Sequence, residues 1–155
     1  MTLLYSEFLT STGVQTDTRK ITQNCLFFCL KGANFDGNTF AAEAIAKGAF
    51  KAVIDDVRFE IPGKTILVTD TLLALQELAN EHRKTLTLPI IGITGSNGKT
   101  TSKELIGTVL ATQFNTYFTK GNLNNHIGVP LSLLELTAEH EIAVIEMGAN
   151  KPGDI

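Results

Sequence analysis

"GITGSNGKTTSKE", residues 92–104, overlaps the apolar run "IIGIT" (90–94) and leads into "KTTSKELIGTVLATQF" (99–114). An apolar strand that runs into a glycine turn and then a helix is the setting in which a phosphate loop works. Successive backbone N–H groups in such a turn form an anion nest, and the helix N-terminus adds partial positive charge. The usual template, G-x-x-x-x-G-K-[ST], is met only at its end, by Gly98, Lys99 and Thr100. Ile93 stands where the first glycine belongs, and the glycines present are Gly92 and Gly95. The chemistry survives that change. The turn through Gly95, Ser96, Asn97 and Gly98 still offers amides, Lys99 reaches the β- and γ-phosphates, and Thr100 offers Mg2+ a hard oxygen. The plain alternative, a glycine-rich turn with an exposed lysine, is disfavoured by the strand before it and the helix after it. A dinucleotide-binding G-x-G-x-x-G does not fit the spacing.

Downstream, "NTYFT" (115–119) reads as a strand, "GNLNNHIGVP" (121–130) as an irregular loop, "LSLLELT" (131–137) as a short helix and "IAVIEMG" (142–148) as a buried strand. Strand, helix, strand, helix, strand is the pattern of a parallel sheet with right-handed crossovers. Ligands of such sheets gather at the carboxyl ends of the strands, which places Glu146 as a direct or outer ligand of Mg2+ beside the phosphate loop. A solvent-facing strand-end carboxylate is the alternative. The asparagines of 121–130 suit sugar hydroxyls and phosphate oxygens, but asparagine also dominates ordinary turns, and residue chemistry alone does not separate the two. His126 reads as a loop hydrogen-bonding residue, and His82 and His140 as surface residues without a role.

The first half reads as a small mixed α/β unit. "CLFFCL" (25–30), "KAVIDDV" (51–57) and "KTILVTD" (64–70) are strands, the last two separated by the turn Ile61-Pro62-Gly63. "GANFDGN" (32–38) is a loop. "NTFAAEAIAKGA" (38–49) is a helix with Phe40, Ala44, Ile45 and Ala49 on one face, and "TLLALQELANEHRKTL" (71–86) a longer one with Leu72, Leu75, Leu78 and Ala79 on one face. Cys25 and Cys29 share a strand face and read as buried thiols. The polar segment 84–89, ending at Pro89, marks a boundary and suggests domains at 1–84 and 85–155. Three parallel strands rarely finish a doubly wound sheet, so the chain reads as part of a longer protein.

With 155 residues and 43% hydrophobic content, the chain can bury a core. A net charge of −3 argues against nucleic-acid binding. No apolar run approaches a membrane span, and "MTLLYSEFLT" lacks the features of a secretory signal. A cytoplasmic protein without membrane insertion is expected.

"GITGSNGKTTSKE", "GNLNNHIGVPLSLLEL" and "AVIEMGANKPGDI" together resemble the central domain of the Mur ligases, whose T-G-[ST]-x-G-K-[ST]-[ST] loop matches Thr94 to Thr101. "TDTRKITQNCLFFCLKGANFDGNTFAAEAIAKGAFKAVI" resembles the family's UDP-binding N-terminal domain, with Asn24 where glycine is usual and Asn38 where histidine is frequent. The resemblance implies a UDP-binding mixed α/β domain followed by the first part of a P-loop, parallel-sheet ATP-binding domain. It also implies ATP-dependent amide formation in peptidoglycan synthesis through an acyl phosphate, with ATP and Mg2+ as cofactors. Within the family the asparagine-rich motif is similar to that of the member taking UDP-N-acetylmuramoyl-tripeptide and D-alanyl-D-alanine as substrates. The family's central domain is longer than the part aligned, so the given chain is expected to be incomplete and inactive alone, and a monomer. By position, Thr94, Gly95, Ser96, Asn97, Gly98, Lys99, Thr100 and Thr101 bind the nucleotide. Lys99, Glu146, Asn125 and His126 are implied in catalysis, and Thr100 and Glu146 in metal binding. Thr18, Ala33, Asn34, Phe35, Asn122 and Asn125 are implied in substrate binding. The alternatives are a non-catalytic UDP-sugar or nucleotide-binding module, the third-residue-adding Mur ligase, or a folylpolyglutamate-type ligase.

Overall fold

The protein is represented by a computed structural model that describes residues 1–149; the end of the "AVIEMGANKPGDI" motif lies outside the described residues. The chain forms two compact units that divide between Leu78 and Ala79.

The first unit opens with a helix that the sequence reading leaves unassigned, α1 (Leu3–Thr10), whose N-terminus is capped by Thr2 Oγ1 accepting from Tyr5 N and whose inner face buries Tyr5 and Phe8. Strands β1 (Val14–Gln15), β2 (Leu26–Phe28), β5 (Lys51–Ile54) and β6 (Thr65–Leu67) form a four-stranded sheet in the order β1-β2-β5-β6, every pair parallel. Leu26, Phe27 and Phe28, and on the neighbouring strand Ala52, Val53 and Ile54, are all buried, as continuous apolar strands in a parallel sheet must be. Both cysteines are buried and free.

The segment expected to be a loop at 32–38 contains a hairpin, β3 (Lys31–Gly32) and β4 (Phe35–Asp36). A 3-10 turn at Gly37–Phe40 precedes α2 (Ala41–Ala46), so the expected helix starts later and Phe40 is 39% exposed instead of sharing the buried face of Ala44. Asn24 is the described non-glycine residue with positive φ, at 67°. Asparagine tolerates that left-handed conformation better than other side chains, which accounts for its standing where glycine is usual. Asn38 is fully buried: its Nδ2 donates to Asp36 and Asp55, each at 2.7 Å, and its Oδ1 accepts from Asp55 N at 3.0 Å.

Helix α3 (Thr71–Thr85) buries Leu75, Leu78 and Ala79. In the second unit β7 (Ile90–Ile93), α4 (Lys99–Leu110), β8 (Thr116–Phe118), α5 (Gly128–Leu134) and β9 (Ile142–Glu146) alternate, and the sheet order is β7-β9-β8 with both pairs parallel. This is the expected parallel arrangement. Helix α5 begins three residues earlier than the reading places it, because Pro130 falls in its first turn, where a missing N–H is tolerated. Leu88, Tyr117, Leu136, Ala143 and Ile145 make the core here. His82 corrects a sequence expectation: it is buried, not on the surface, and its Nε2 lies 2.8 Å from the Leu136 carbonyl. Among the described residues no helix is long and apolar enough to cross a membrane.

Candidate functional site

The register of the second sheet sets Ile93 beside Glu146, so the loop leaving β7 and the carboxylate ending β9 come together at the same edge. The loop's shape depends on two glycines: Gly95 at φ 137° and Gly98 at φ 77° adopt backbone conformations that a side chain would strain. Gly98 is also the N-cap of α4, its carbonyl accepting from Ser102 N at 2.9 Å. Thr94 through Gly98 are exposed, as is Thr101 on the first turn of α4. Lys99 folds back over the loop, donating to the Gly95 carbonyl at 2.5 Å and to that of Ser96 at 3.5 Å. Its ammonium therefore lies against the glycine turn, where it could counter the charge of a bound polyphosphate.

Below the loop lies a buried carboxylate. Glu146 is wholly enclosed. Its Oε1 accepts from the Thr100 hydroxyl at 3.1 Å and from Asn124 Nδ2 at 2.7 Å, and its backbone N donates to Thr119 Oγ1 at 3.0 Å. Its Oε2 is buried and has no hydrogen-bond partner among the described residues. The Lys103 ammonium, 4.0 Å from Oε2, is beyond hydrogen-bonding reach, so the lone pairs of that oxygen stay open to a divalent cation and the residues fit Mg2+. Among the described residues no group of three or more His, Cys, Asp or Glu gathers. A site on Thr100 and Glu146 alone suits an ion that takes its remaining ligands from phosphate and water.

The asparagine-rich loop divides by role. Asn125 Oδ1 accepts from Ile127 N at 3.1 Å and Gly128 N at 2.8 Å, capping the start of α5. Asn122 and His126 are exposed on the loop. The side chain that reaches Glu146 is Asn124, which the sequence reading does not select; nothing in the composition of the loop separates it from its neighbours. Lys103 is also unselected. It is fully buried, and its Nζ donates to the carbonyls of Thr119 at 2.6 Å and Gly121 at 3.0 Å. Its signal is helical period: three residues after Thr100, it faces the same way.

In the first unit Thr18 and Phe35 both line a cleft of about 360 Å3, together with Arg19, Phe40 and Asp17. Thr18 opens a 3-10 turn capped by Asp17, whose carboxyl the Arg19 side chain holds well below the usual range. Lys47, and after it the Thr18 hydroxyl, draws the Glu43 carboxyl below its ordinary value. Phe35 lies over Gly32 of its own hairpin, where an added Cβ would come within 2.3 Å of the ring. Ala33 and Asn34, the hairpin tip, are exposed and are not among the residues lining the cleft.

Comparison with known proteins agrees with both units. The description "Mur ligase family, catalytic domain" matches residues 10–83, and "Mur ligase middle domain" matches residues 93–154. The UDP-N-acetylmuramoyl-tripeptide--D-alanyl-D-alanine ligase of Bacillus subtilis is 49% identical over 146 residues, covering 92% of this chain and 32% of that protein. The Escherichia coli protein of the same name is 46% identical over 147 residues, covering 95% and 32%. The crystal structure of MurF from Acinetobacter baumannii superposes with a TM-score of 0.83 at 36% identity, covering 96% of this chain and 36% of that one. MurF ligase from Thermotoga maritima in complex with ADP gives 0.82 at 33%, covering 96% and 34%. The chain thus spans about a third of the length of the curated relatives it matches. With both of its units matched, the chain belongs to the Mur ligase family.

Proposed function

We propose that these residues supply the nucleotide-binding and UDP-substrate-binding parts of an ATP-dependent ligase that joins D-alanyl-D-alanine to UDP-N-acetylmuramoyl-tripeptide, forming ADP and phosphate. The reading is supported above all by the phosphate loop whose Thr100 touches a buried carboxylate with one free oxygen. It is supported also by relatives that carry that name at 49% and 46% identity.

In this reading the first unit and its continuation to residue 84 hold the UDP end through Thr18, Ala33, Asn34 and Phe35. Residues 85–155 begin the ATP-binding domain. The amides of Gly95 to Gly98 bind phosphate oxygens, Lys99 counters their charge, and Thr94 and Thr101 support the loop. Thr100 and Glu146 would hold Mg2+, which when bound would neutralise negative charge on the phosphates. Asn122, Asn125 and His126 border the nucleotide and acyl-phosphate side. The tripeptide's terminal carboxylate takes the γ-phosphoryl group, ADP departs, and the amine of D-alanyl-D-alanine then displaces phosphate from the acyl carbon. Positioning and charge neutralisation carry most of the acceleration. The reaction belongs in the cytoplasm, on a monomer.

Mass spectrometry of the product made by the polypeptide carrying these residues tests this. The expected product is the UDP-linked pentapeptide, formed only with D-alanyl-D-alanine; addition of a single third residue to the dipeptide precursor would contradict it. A second reading is a module that binds UDP-sugar or nucleotide without turnover. Release of ADP by the 155-residue chain that depends on D-alanyl-D-alanine would defeat that second reading.

A further inference from the structure

Lys103 is a fully enclosed lysine, a residue type almost never fully buried unless its charge is paired. Its ammonium has three protons to give and meets three oxygens: the carbonyls of Thr119 and Gly121, and Glu104 Oε1 at 2.9 Å. The Glu146 carboxylate lies next to it, with Oε2 at 4.0 Å. At that range the lysine compensates the buried charge of Glu146 without taking up the lone pairs of Oε2, which keeps no hydrogen-bond partner among the described residues. Thr119 makes a second link. Its carbonyl accepts from Lys103, while its hydroxyl accepts from Glu146 N. Lys103 thus holds both the turn after β8 and the last residue of β9, from the same face of α4 that presents Thr100.

We propose that Lys103 is a positioning residue, which holds the Glu146 carboxylate in place and aimed at a divalent cation beneath the phosphate loop. This rests on the reading of Thr100 and Glu146 as the cation's ligands. Lys103 itself touches neither nucleotide nor metal; the effect passes through Glu146 and the Thr119–Gly121 turn. A lysine that merely held the fold would not distinguish nucleotide binding with Mg2+ from binding without it.

The test is calorimetric titration of the 155-residue chain with ADP, once in Mg2+ and once in EDTA. Lys103→Gln keeps donors and loses the charge; Lys103→Met keeps the volume and loses both. Each is made alone and with Glu146→Gln. Outer partners of a metal ligand typically change metal affinity by about 10- to 100-fold, so Lys103→Gln should weaken Mg2+-supported ADP binding by about 10-fold or more. Binding in EDTA should stay within about twofold, and the loss should vanish in the Glu146→Gln background, because the two substitutions remove one function. Equal losses with and without Mg2+, additivity with Glu146→Gln, or wild-type binding in both lysine variants would overturn the proposal. If neither lysine variant keeps a native circular dichroism spectrum, Lys103 serves the fold alone and the proposal also fails. A wild-type chain that takes up no Mg2+-dependent ADP would instead defeat the reading of the site on which this rests.

Discussion

The Thr100 hydroxyl lies 3.1 Å from Glu146 Oε1, tying the first turn of α4 to the end of β9. Asn124 shares that oxygen, so removing the threonine hydroxyl does not strand the carboxylate. Thr100→Val should therefore cost the fold no more than about 1 kcal/mol, the net worth of one hydrogen bond. Mg2+-dependent ADP affinity should fall by about 10-fold or more if Thr100 is a cation ligand. Thermal unfolding and titration of the same variant separate the two effects, and unchanged affinity in Mg2+ would remove Thr100 from the metal site.

Asn125 has a definite structural task, the cap of α5. Asn125→Ala should destabilise the second unit by about 1 kcal/mol, as loss of an asparagine cap typically does. Asn125→Ser, which keeps a capping oxygen, should recover most of that stability. If Asn125 also contacts ligand, the serine variant should keep its stability and still lose ligand affinity; denaturant midpoints compared with binding constants show which applies.

At Asn24 the left-handed backbone sets the cost of substitution. Asn24→Ala should lose about 1–2 kcal/mol from the conformational penalty, besides the bond from Nδ2 to the Thr10 carbonyl. Asn24→Gly keeps the backbone at ease and should lie well above the alanine variant in urea denaturation. Equal midpoints for the two would mean that the backbone conformation does not decide this position.

Burial first, and then the negative charges of Asp55 and Asp36, pushes the Cys29 thiol up to about 12 from its ordinary 9.0. The unfolded chain gives up this proton near 9, and the folded chain holds it to about 12. The stabilisation is thus fully present below pH 9.0 and is lost as pH rises towards 12. The slope for one proton is about 1.4 kcal/mol per pH unit. Cys29→Ala should remove that part of the alkaline slope in urea denaturation measured from pH 8 upward; an unaltered slope would contradict the assignment. At acid pH the sign reverses for Asp55. Burial alone would raise its carboxyl, but Lys31, Asn38 and Thr71 outweigh it and hold the group below its ordinary value, so its contribution is lost as pH falls below 3.8.

The β7–loop–α4 segment and the parallel order around it could be read from sequence because each signal is local. Glycine spacing dictates the turn, apolar runs dictate buried strands, and Glu146 ends one of them. Helical period puts Lys103 on the face of Thr100, but its burial could not be read that way. Its burial depends on the turn after β8 closing over it, and only the fold brings Thr119 and Gly121 to its ammonium. The same holds for Asn124, whose partner is 22 residues away. His82 carries the lesson furthest: on a helix rich in charge it reads as solvated, yet it faces the Leu136 carbonyl 54 residues on. The hairpin at Lys31–Asp36 escaped because its strands are two residues long and give no alternation to detect.

In the proposed function the loop from Thr94 to Thr101 grips a polyphosphate, with Lys99 countering its charge. Calorimetric titration of Mg·ADP into the 155-residue chain and its Lys99→Ala variant tests it most directly. A charged hydrogen-bonding contact is worth about 1.5–3 kcal/mol, so the wild type should bind one equivalent and the variant about 10- to 100-fold more weakly, with unchanged thermal stability. Equal affinity in the two proteins, or no uptake of Mg·ADP by the wild type, would contradict the account.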